Sequence, residues 1–161
     1  MFRKTFAPAL IATLLASAAF AAPSVKSVDV AVDLAAIENP AAAAYWTNVA
    51  EDLENAIVAR LTDNIKDDGV DIDIDISEVE LANTFENVMN IAETRMVAQV
   101  NVTSATDNTQ FNSYELTVKV EEAMQFFPEG TVITAVNLDG TEYYTAMVEA
   151  FAQSVVDRLD D

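Results

Sequence analysis

The sequence predicts an α+β protein with two layers, in which a mostly antiparallel sheet of four or five strands carries two amphipathic helices on one face. Apolar and polar residues alternate in several short segments, and apolar residues recur at spacings of three and four in two longer ones. The resulting order is β-α-β-β-β-(β)-α. Every well-marked strand keeps one polar face, so the helices should cover only the other. The first strand–helix–strand unit should cross over right-handed, which makes strands one and two parallel, whereas the later, turn-linked strands should be antiparallel.

The spacing of apolar residues predicts the first strand and the first helix: it is two residues in the strand and three or four in the helix. Valine and leucine occupy the even positions of 28–34, which is the alternation of a strand. Asn39 is placed as the N-cap of a helix whose first turn holds Pro40. Its apolar stripe comprises Val49, Leu53, Ala56, Ile57, Leu61 and Ile65. The helix is predicted to run to Lys66 and to end at Gly69 in a left-handed conformation.

The second strand is predicted from the segment VDIDIDIS, residues 70–77. One valine and three isoleucines point to one side, and three aspartates and a serine point to the other. The apolar phase then shifts, because Val79 and Leu81 occupy odd positions. One extra residue would restore the pattern, so a β-bulge is predicted at Ser77 and Glu78.

The rest of the chain supplies further strands and a final helix. Alternation predicts strands at 98–103 and 114–121, and a short fifth strand is an option at 132–138. Residues 84–93 fit either a helix or a loop. Thr141 caps a helix with the stripe Tyr144, Met147, Val148, Phe151, Val155 and Leu159. Two such helices are enough to cover four strands, which gives a single domain over 22–161.

The N-terminus predicts export. Arg3 and Lys4 precede an apolar stretch at 6–20, and Ala19 and Ala21 place small residues at the −3 and −1 positions of a cleavage site. An uncleaved membrane anchor is the alternative, but the stretch is shorter than the ~20 residues of a span. We therefore expect a signal peptide at 1–21, cleavage near Ala21, and a periplasmic or secreted protein without a stable membrane anchor.

Charge limits the partners of the chain. It has 8 basic and 27 acidic residues and a net charge of −19, and loss of Arg3 and Lys4 would make the mature protein more negative by two units. Nucleic acids and anionic lipid surfaces would be repelled. Cations and positively charged partners are compatible with this charge. The alternative is that acidity only keeps the protein soluble in a salt-rich medium.

The residue inventory restricts the chemistry. With no histidine and no cysteine, the chain lacks a histidine base, a thiolate nucleophile, disulfides and the usual zinc ligands. Its three glycines are far apart and form no phosphate-binding loop. The sequence therefore predicts a non-enzyme with no cofactor. A carboxylate-based hydrolase is a third possibility, and Asp73 and Glu115 are the residues whose substitution would test it.

The aspartates of the second strand are the first candidate site. Alternate residues on a strand lie about 6.6 Å apart, so Asp71, Asp73 and Asp75 line one face. If strand one lies alongside, Asp29 and Asp33 share that face. Together they form a candidate Ca²⁺ site, although calcium prefers six to eight oxygen ligands and usually a loop. The favoured interpretation is a solvated face whose repulsion is screened by salt or offset by Arg95 and Lys119.

Aromatic residues form the second candidate site. Met124, Phe126 and Phe127 cluster before Pro128. Neighbouring phenylalanines on a strand cannot both face the core, so one of them is a candidate for partner contact. Trp46 and Tyr45, near the start of the first helix, are open to the same two interpretations, and Trp46 is a further candidate for partner contact. The alternative is that these side chains pack under a helix end.

The element order resembles that of small outer-membrane-assembly auxiliary lipoproteins. The resemblance spans strand 28–34, helix 40–66, the strands between 70 and 121, and helix 141–159. The chain departs from that family in having no lipid-attachment cysteine. We therefore expect a soluble periplasmic, non-catalytic protein that binds another envelope or exported component. The alternative function is low-affinity binding of divalent cations on the acidic face.

Overall fold

Strands and helices occupy most of the described chain. The computed structural model describes residues 23–32, 46–80, 95–107, 109–131 and 141–159. In chain order the elements are β1 Val25–Val32, α1 Val49–Arg60, β2 Val70–Glu80, β3 Arg95–Thr103, β4 Asn112–Lys119, α2 Val120–Ala123, a 3-10 turn Met124–Phe126 and α3 Thr141–Asp157.

The described strands form one sheet in the order β1-β2-β3-β4. β1 and β2 are parallel, and β2–β3 and β3–β4 are antiparallel. The α+β class, the mostly antiparallel sheet and the parallel first pair are thereby confirmed. The optional fifth strand at 132–138 lies outside the described residues.

The predicted bulge in β2 is also confirmed. Ile76 pairs with Ala98 of β3, but Glu78 already pairs with Val97, so Ser77 and Glu78 together oppose one residue. The Ser77 hydroxyl donates a hydrogen bond of 3.3 Å to the Val97 carbonyl oxygen. The bulge thus absorbs the shift in apolar phase that the sequence shows after Ile76.

The core lies between the sheet and the helices. The even-numbered apolar residues of β2 and β3 face inward and are buried, as are Leu116 and Val118 of β4. α1 packs against β1, while α3 packs against α1, β4 and the short α2 segment. The largest fully buried side chains include Trp46, Tyr143 and Phe151. The helices therefore lie on one side of the sheet, and the other side carries polar residues.

The first helix ends earlier than predicted. α1 stops at Arg60, and its stripe is buried only as far as Leu61, since Ile65 is 40% exposed. The backbone of the following turn bonds to β1 instead: Val25 N donates to Asn64 O at 2.9 Å, and Lys66 N donates to Val25 O at 2.8 Å. The predicted continuation to Lys66 is wrong because these residues satisfy their backbone groups at the sheet.

Gly69 does not end a helix in a left-handed conformation, so that prediction is wrong as well. Among the described glycines only Gly130 has a positive φ, at 86°. Gly69 is needed for close approach, because a Cβ there would lie 2.5 Å from the Val25 carbonyl carbon and 2.6 Å from Ser24 O. Glycine thus lets the turn before β2 pass directly beside the start of β1.

Some predictions fall outside the described residues. These are the signal peptide at 1–21, the helix N-cap at Asn39 with Pro40, and the choice between helix and loop at 84–93. The described residues 46–48 form a turn and α1 begins at Val49, so the prediction of one continuous helix from Pro40 is wrong. Within the described ranges, no helix is both long enough and apolar enough to cross a membrane.

Candidate functional site

The polar face of the sheet carries the predicted aspartates. Asp73 and Asp75 point outward and are exposed, and Asp71 is half-buried. Asp29 of β1 is the register partner of Asp73, whereas Ala31 is the partner of Asp75. Neighbouring strands lie about 4.8 Å apart. The structure therefore brings Asp29 and Asp73 together, and Asp33 lies outside the described residues.

Asp71 is already engaged by β1. The hydroxyl of Ser27 donates a hydrogen bond to its carboxylate, and Lys26 Nζ lies 3.2 Å from the same oxygen. The hydrogen bond from Ser27, followed by that from Lys26, holds the pKa of Asp71 below its ordinary value of 3.8. Asp71 is thus part of a local ion pair at the β1 edge, and fewer of its oxygens are available to a bound cation.

Polar side chains, neutral except for Glu115, continue this face across β3 and β4. Asp73 is followed by Asn101 and then Ser113, and Asp75 is followed by Gln99 and then Glu115. Ser113 donates to Asn101 Oδ1 at 2.6 Å, and Gln99 Nε2 donates to Ser113 Oγ at 3.1 Å. Among the described residues no three carboxylates converge to hold a metal ion. The face is an array of donors and acceptors that is most acidic on its β1–β2 side.

Arg95 and Lys119 lie opposite each other at one end of the β3–β4 pair. Arg95 lies four residues along β3 from Gln99, which is the partner of Asp75. That separation is about 13 Å at the rise of a strand. The two cations therefore do not lie beside the aspartates that they were expected to offset.

The aromatic candidates belong to a helical segment. Residues 120–126 form α2 and the 3-10 turn, so the argument from neighbouring strand positions does not apply to them. Phe126 and Phe127 are both half-buried against the core, and the ring of Phe127 lies 6.4 Å from that of Tyr143. Met124 is 42% exposed, whereas Trp46 is fully buried. Of this group, only Met124 is exposed, and it presents somewhat less than half of its surface to solvent.

A groove runs between α1 and α3 on the solvent side of the helix layer. Its volume is about 420 Å³, which lies within the usual range of ligand pockets. α1 contributes Asp52, Asn55 and Ala56, and α3 contributes Tyr144, Val148 and Glu149 together with two threonines. The groove therefore combines an apolar floor with oxygen-bearing walls.

Two polar bridges hold the groove walls together. The Tyr144 hydroxyl donates to the Asp52 carboxylate, and the Tyr144 ring lies 5.0 Å from the ring of Trp46. Further along, Arg60 donates to the Glu149 carboxylate and, through Nε, to Gln153 Oε1 at 3.2 Å. α1 and α3 therefore run in the same direction, because the N-terminal part of α1 contacts the N-terminal part of α3 and the C-terminal end of α1 contacts residues further along α3.

The sequence prediction did not find this groove. The apolar spacing predicts Tyr144 in the core stripe, but its neighbour Tyr143 is fully buried and Tyr144 is half-buried at the groove. The available signal was spacing, because Asp52, Asn55 and Ala56 lie on one face of α1 by their separations of three and four. That signal does not show which other helix faces them.

Comparison with known proteins identifies no relative of this chain. No family model matches the chain, and no curated protein and no solved structure is significantly similar to it.

Proposed function

We propose that this chain is a non-catalytic binding protein of the cell envelope, exported by its signal peptide, which holds another envelope or exported protein. The proposal combines the signal-like N-terminus with a polar sheet face that no described helix covers. The resemblance in element order to small outer-membrane-assembly auxiliary lipoproteins points in the same direction.

The observation that carries the proposal is the polar face itself. Four strands present Asp29, Asp73, Asn101 and Ser113 in one row, and the last two are held by a hydrogen bond. A row of acceptors and donors carried on one sheet can pair with polar groups of a partner without large rearrangement of the backbone. The excess of carboxylates at one side favours a partner with basic residues.

In-cell crosslinking tests the proposal. A photo-reactive residue in place of Asp75, at the centre of the polar face, should capture a partner in intact cells of the source organism. The same residue in place of Asp63, an exposed position in the turn after α1, is the control and should capture less. The absence of any adduct at Asp75 under several growth conditions, with the variant present and folded, would overturn the proposal.

Low-affinity binding of divalent cations is the second candidate function. It is favoured by one specific observation, the register pairing of Asp29 with Asp73 on neighbouring strands. Two carboxylates at this separation attract a hard cation, although Ca²⁺ takes six to eight oxygen ligands. A Ca²⁺-specific rise in melting temperature that is lost in the Asp29→Asn, Asp73→Asn double variant would favour this function.

A further inference from the structure

The groove between α1 and α3 has a chemical character of its own. Among the described residues that line it, the two charged groups, Asp52 and Glu149, are both acidic. The half-buried Ala56 and the largely buried Val148 line the groove between them. The groove thus offers negative charge next to an apolar floor, in a chain whose net charge of −19 already attracts cations.

The two acidic groups are not equivalent. Glu149 is paired with Arg60, whose Nη1 also donates to the Ala56 carbonyl at 2.9 Å. At one end of the α1–α3 pair, a cation, the guanidinium of Arg60, is therefore held by the Glu149 carboxylate and the Ala56 carbonyl oxygen. Asp52 accepts a hydrogen bond from Tyr144, and no basic side chain of the described residues pairs with it. The charge of Asp52 is therefore available to a cation from outside the chain.

We propose that this groove binds a lysine or arginine side chain from a basic segment of the partner protein. The carboxylate of Asp52 would receive the cationic head, and the apolar floor at Ala56 and Val148 would receive its methylene stem. The half-buried ring of Tyr144 lies beside Asp52 and adds a favourable surface for a cation. This inference rests on the proposed binding function and names the chemistry of the partner.

The inference can be tested with short peptides. Tri-arginine is titrated into the full chain at low ionic strength, with the tri-citrulline peptide as its neutral counterpart. Trp46 is the single tryptophan and lies against Tyr144, so its fluorescence reports on the groove. Equilibrium dialysis measures binding independently of that signal. We expect tri-arginine to bind at least about tenfold more tightly than tri-citrulline, which corresponds to about 1.4 kcal/mol.

Two variants separate the groove from general attraction to an acidic protein. Asp52→Asn removes the charge but keeps an acceptor for the Tyr144 hydroxyl, and it should weaken tri-arginine binding by about tenfold or more. Glu54→Gln removes the same charge from an exposed position of α1 that does not line the groove, and it should change binding less than about twofold. Equal losses in the two variants, or no binding of tri-arginine, would overturn the inference.

The outcome can be separated from that of the proposed function. If the residue at position 75 captures a partner and Asp52→Asn leaves that capture unchanged, the groove inference fails while the binding function stands. If capture fails altogether, the proposed function fails whatever the peptides do. Spermidine that binds more tightly than tri-arginine, with the same dependence on Asp52, would overturn the assignment to a protein partner.

Discussion

Gly69 lies where the turn before β2 passes beside the start of β1. A Cβ at this position would meet backbone atoms of Ser24, Val25 and Lys26 at 2.5–2.7 Å. Because backbone cannot rotate away as a side chain can, Gly69→Ala should lower the free energy of unfolding by about 1–3 kcal/mol. Urea denaturation would measure the loss.

The control for this variant is Asp68→Ala, at an exposed position one residue earlier. A surface substitution of this kind should change stability by no more than about 0.5 kcal/mol. If Gly69→Ala were as stable as this control, the close approach of the two segments would be contradicted.

Tyr114 illustrates a different residue-scale effect. Its hydroxyl is buried without a hydrogen-bond partner in the described residues, and Arg158 lies 4.7 Å from its ring centroid. An unpaired buried hydroxyl costs free energy. Tyr114→Phe should therefore leave the free energy of unfolding at neutral pH unchanged or higher, as measured by urea denaturation. A loss above about 1 kcal/mol would mean that the hydroxyl is satisfied.

The pH dependence of the same residue provides a second measurement. Burial raises the pKa of Tyr114 above its ordinary value of 10.0, although the charge of Arg158 opposes the shift. The unfolded chain therefore loses this proton first, so stability is intact below pH 10 and falls as the pH rises through the folded pKa. Wild type should lose more stability than Tyr114→Phe above pH 10, and identical curves would contradict the raised pKa.

At the scale of elements, Arg60 connects α1 to α3. It bonds to the Glu149 carboxylate, the Glu149 carbonyl oxygen and Gln153. Removing a half-buried cation that satisfies several acceptors should be costly, because those acceptors and the stem packing are lost together. Arg60→Ala should lower the free energy of unfolding by about 1.5–3 kcal/mol in urea denaturation.

Lys66→Ala is the matched control, since it removes one positive charge at an exposed position outside the helix pair. It should cost less than about 0.5 kcal/mol. Similar losses in the two variants would show that net charge, rather than the bridge between the helices, determines the effect.

At the scale of the whole molecule, the net charge determines how stability responds to dissolved salt. A charge of −19 repels itself, and dissolved salt screens that repulsion. We expect the melting temperature to rise by several degrees between low and moderate ionic strength. Calcium and magnesium should act equally at matched concentration if screening alone is responsible. A larger rise with Ca²⁺ than with Mg²⁺ would instead favour the second candidate function.

The sequence predicts an element well where the local spacing of apolar and polar residues alone specifies it. The alternation of isoleucine and aspartate in 70–77 specifies a strand with one apolar face, and the phase shift at Ser77 specifies the bulge. Both features follow from side-chain period alone. The end of α1 does not, because the apolar spacing continues to Ile65 while the backbone there bonds to β1. Tertiary hydrogen bonds overrode a local signal.

The groove depended on contacts that no local pattern encodes. Asp52 and Tyr144 are 92 residues apart, and Arg60 and Glu149 are 89 apart. Each helix showed its polar residues at helical spacing, but only the packing of the helices places those residues face to face. The same limit applies to Trp46, which the sequence offers as a candidate for partner contact and which lies in the core of the structure.

The pairing of the strands has a consequence for the order in which the sheet assembles. The β3–β4 pair begins at Val102 and Asn112, which are ten residues apart in the sequence. The β1–β2 pair begins at Val25 and Val70, which are 45 residues apart. Closing the longer loop costs more entropy and slows the search. We expect pulse-labelled hydrogen exchange during refolding to protect the amides of β3 and β4 first and those of β1 last. β1 would then be the strand that completes the fold.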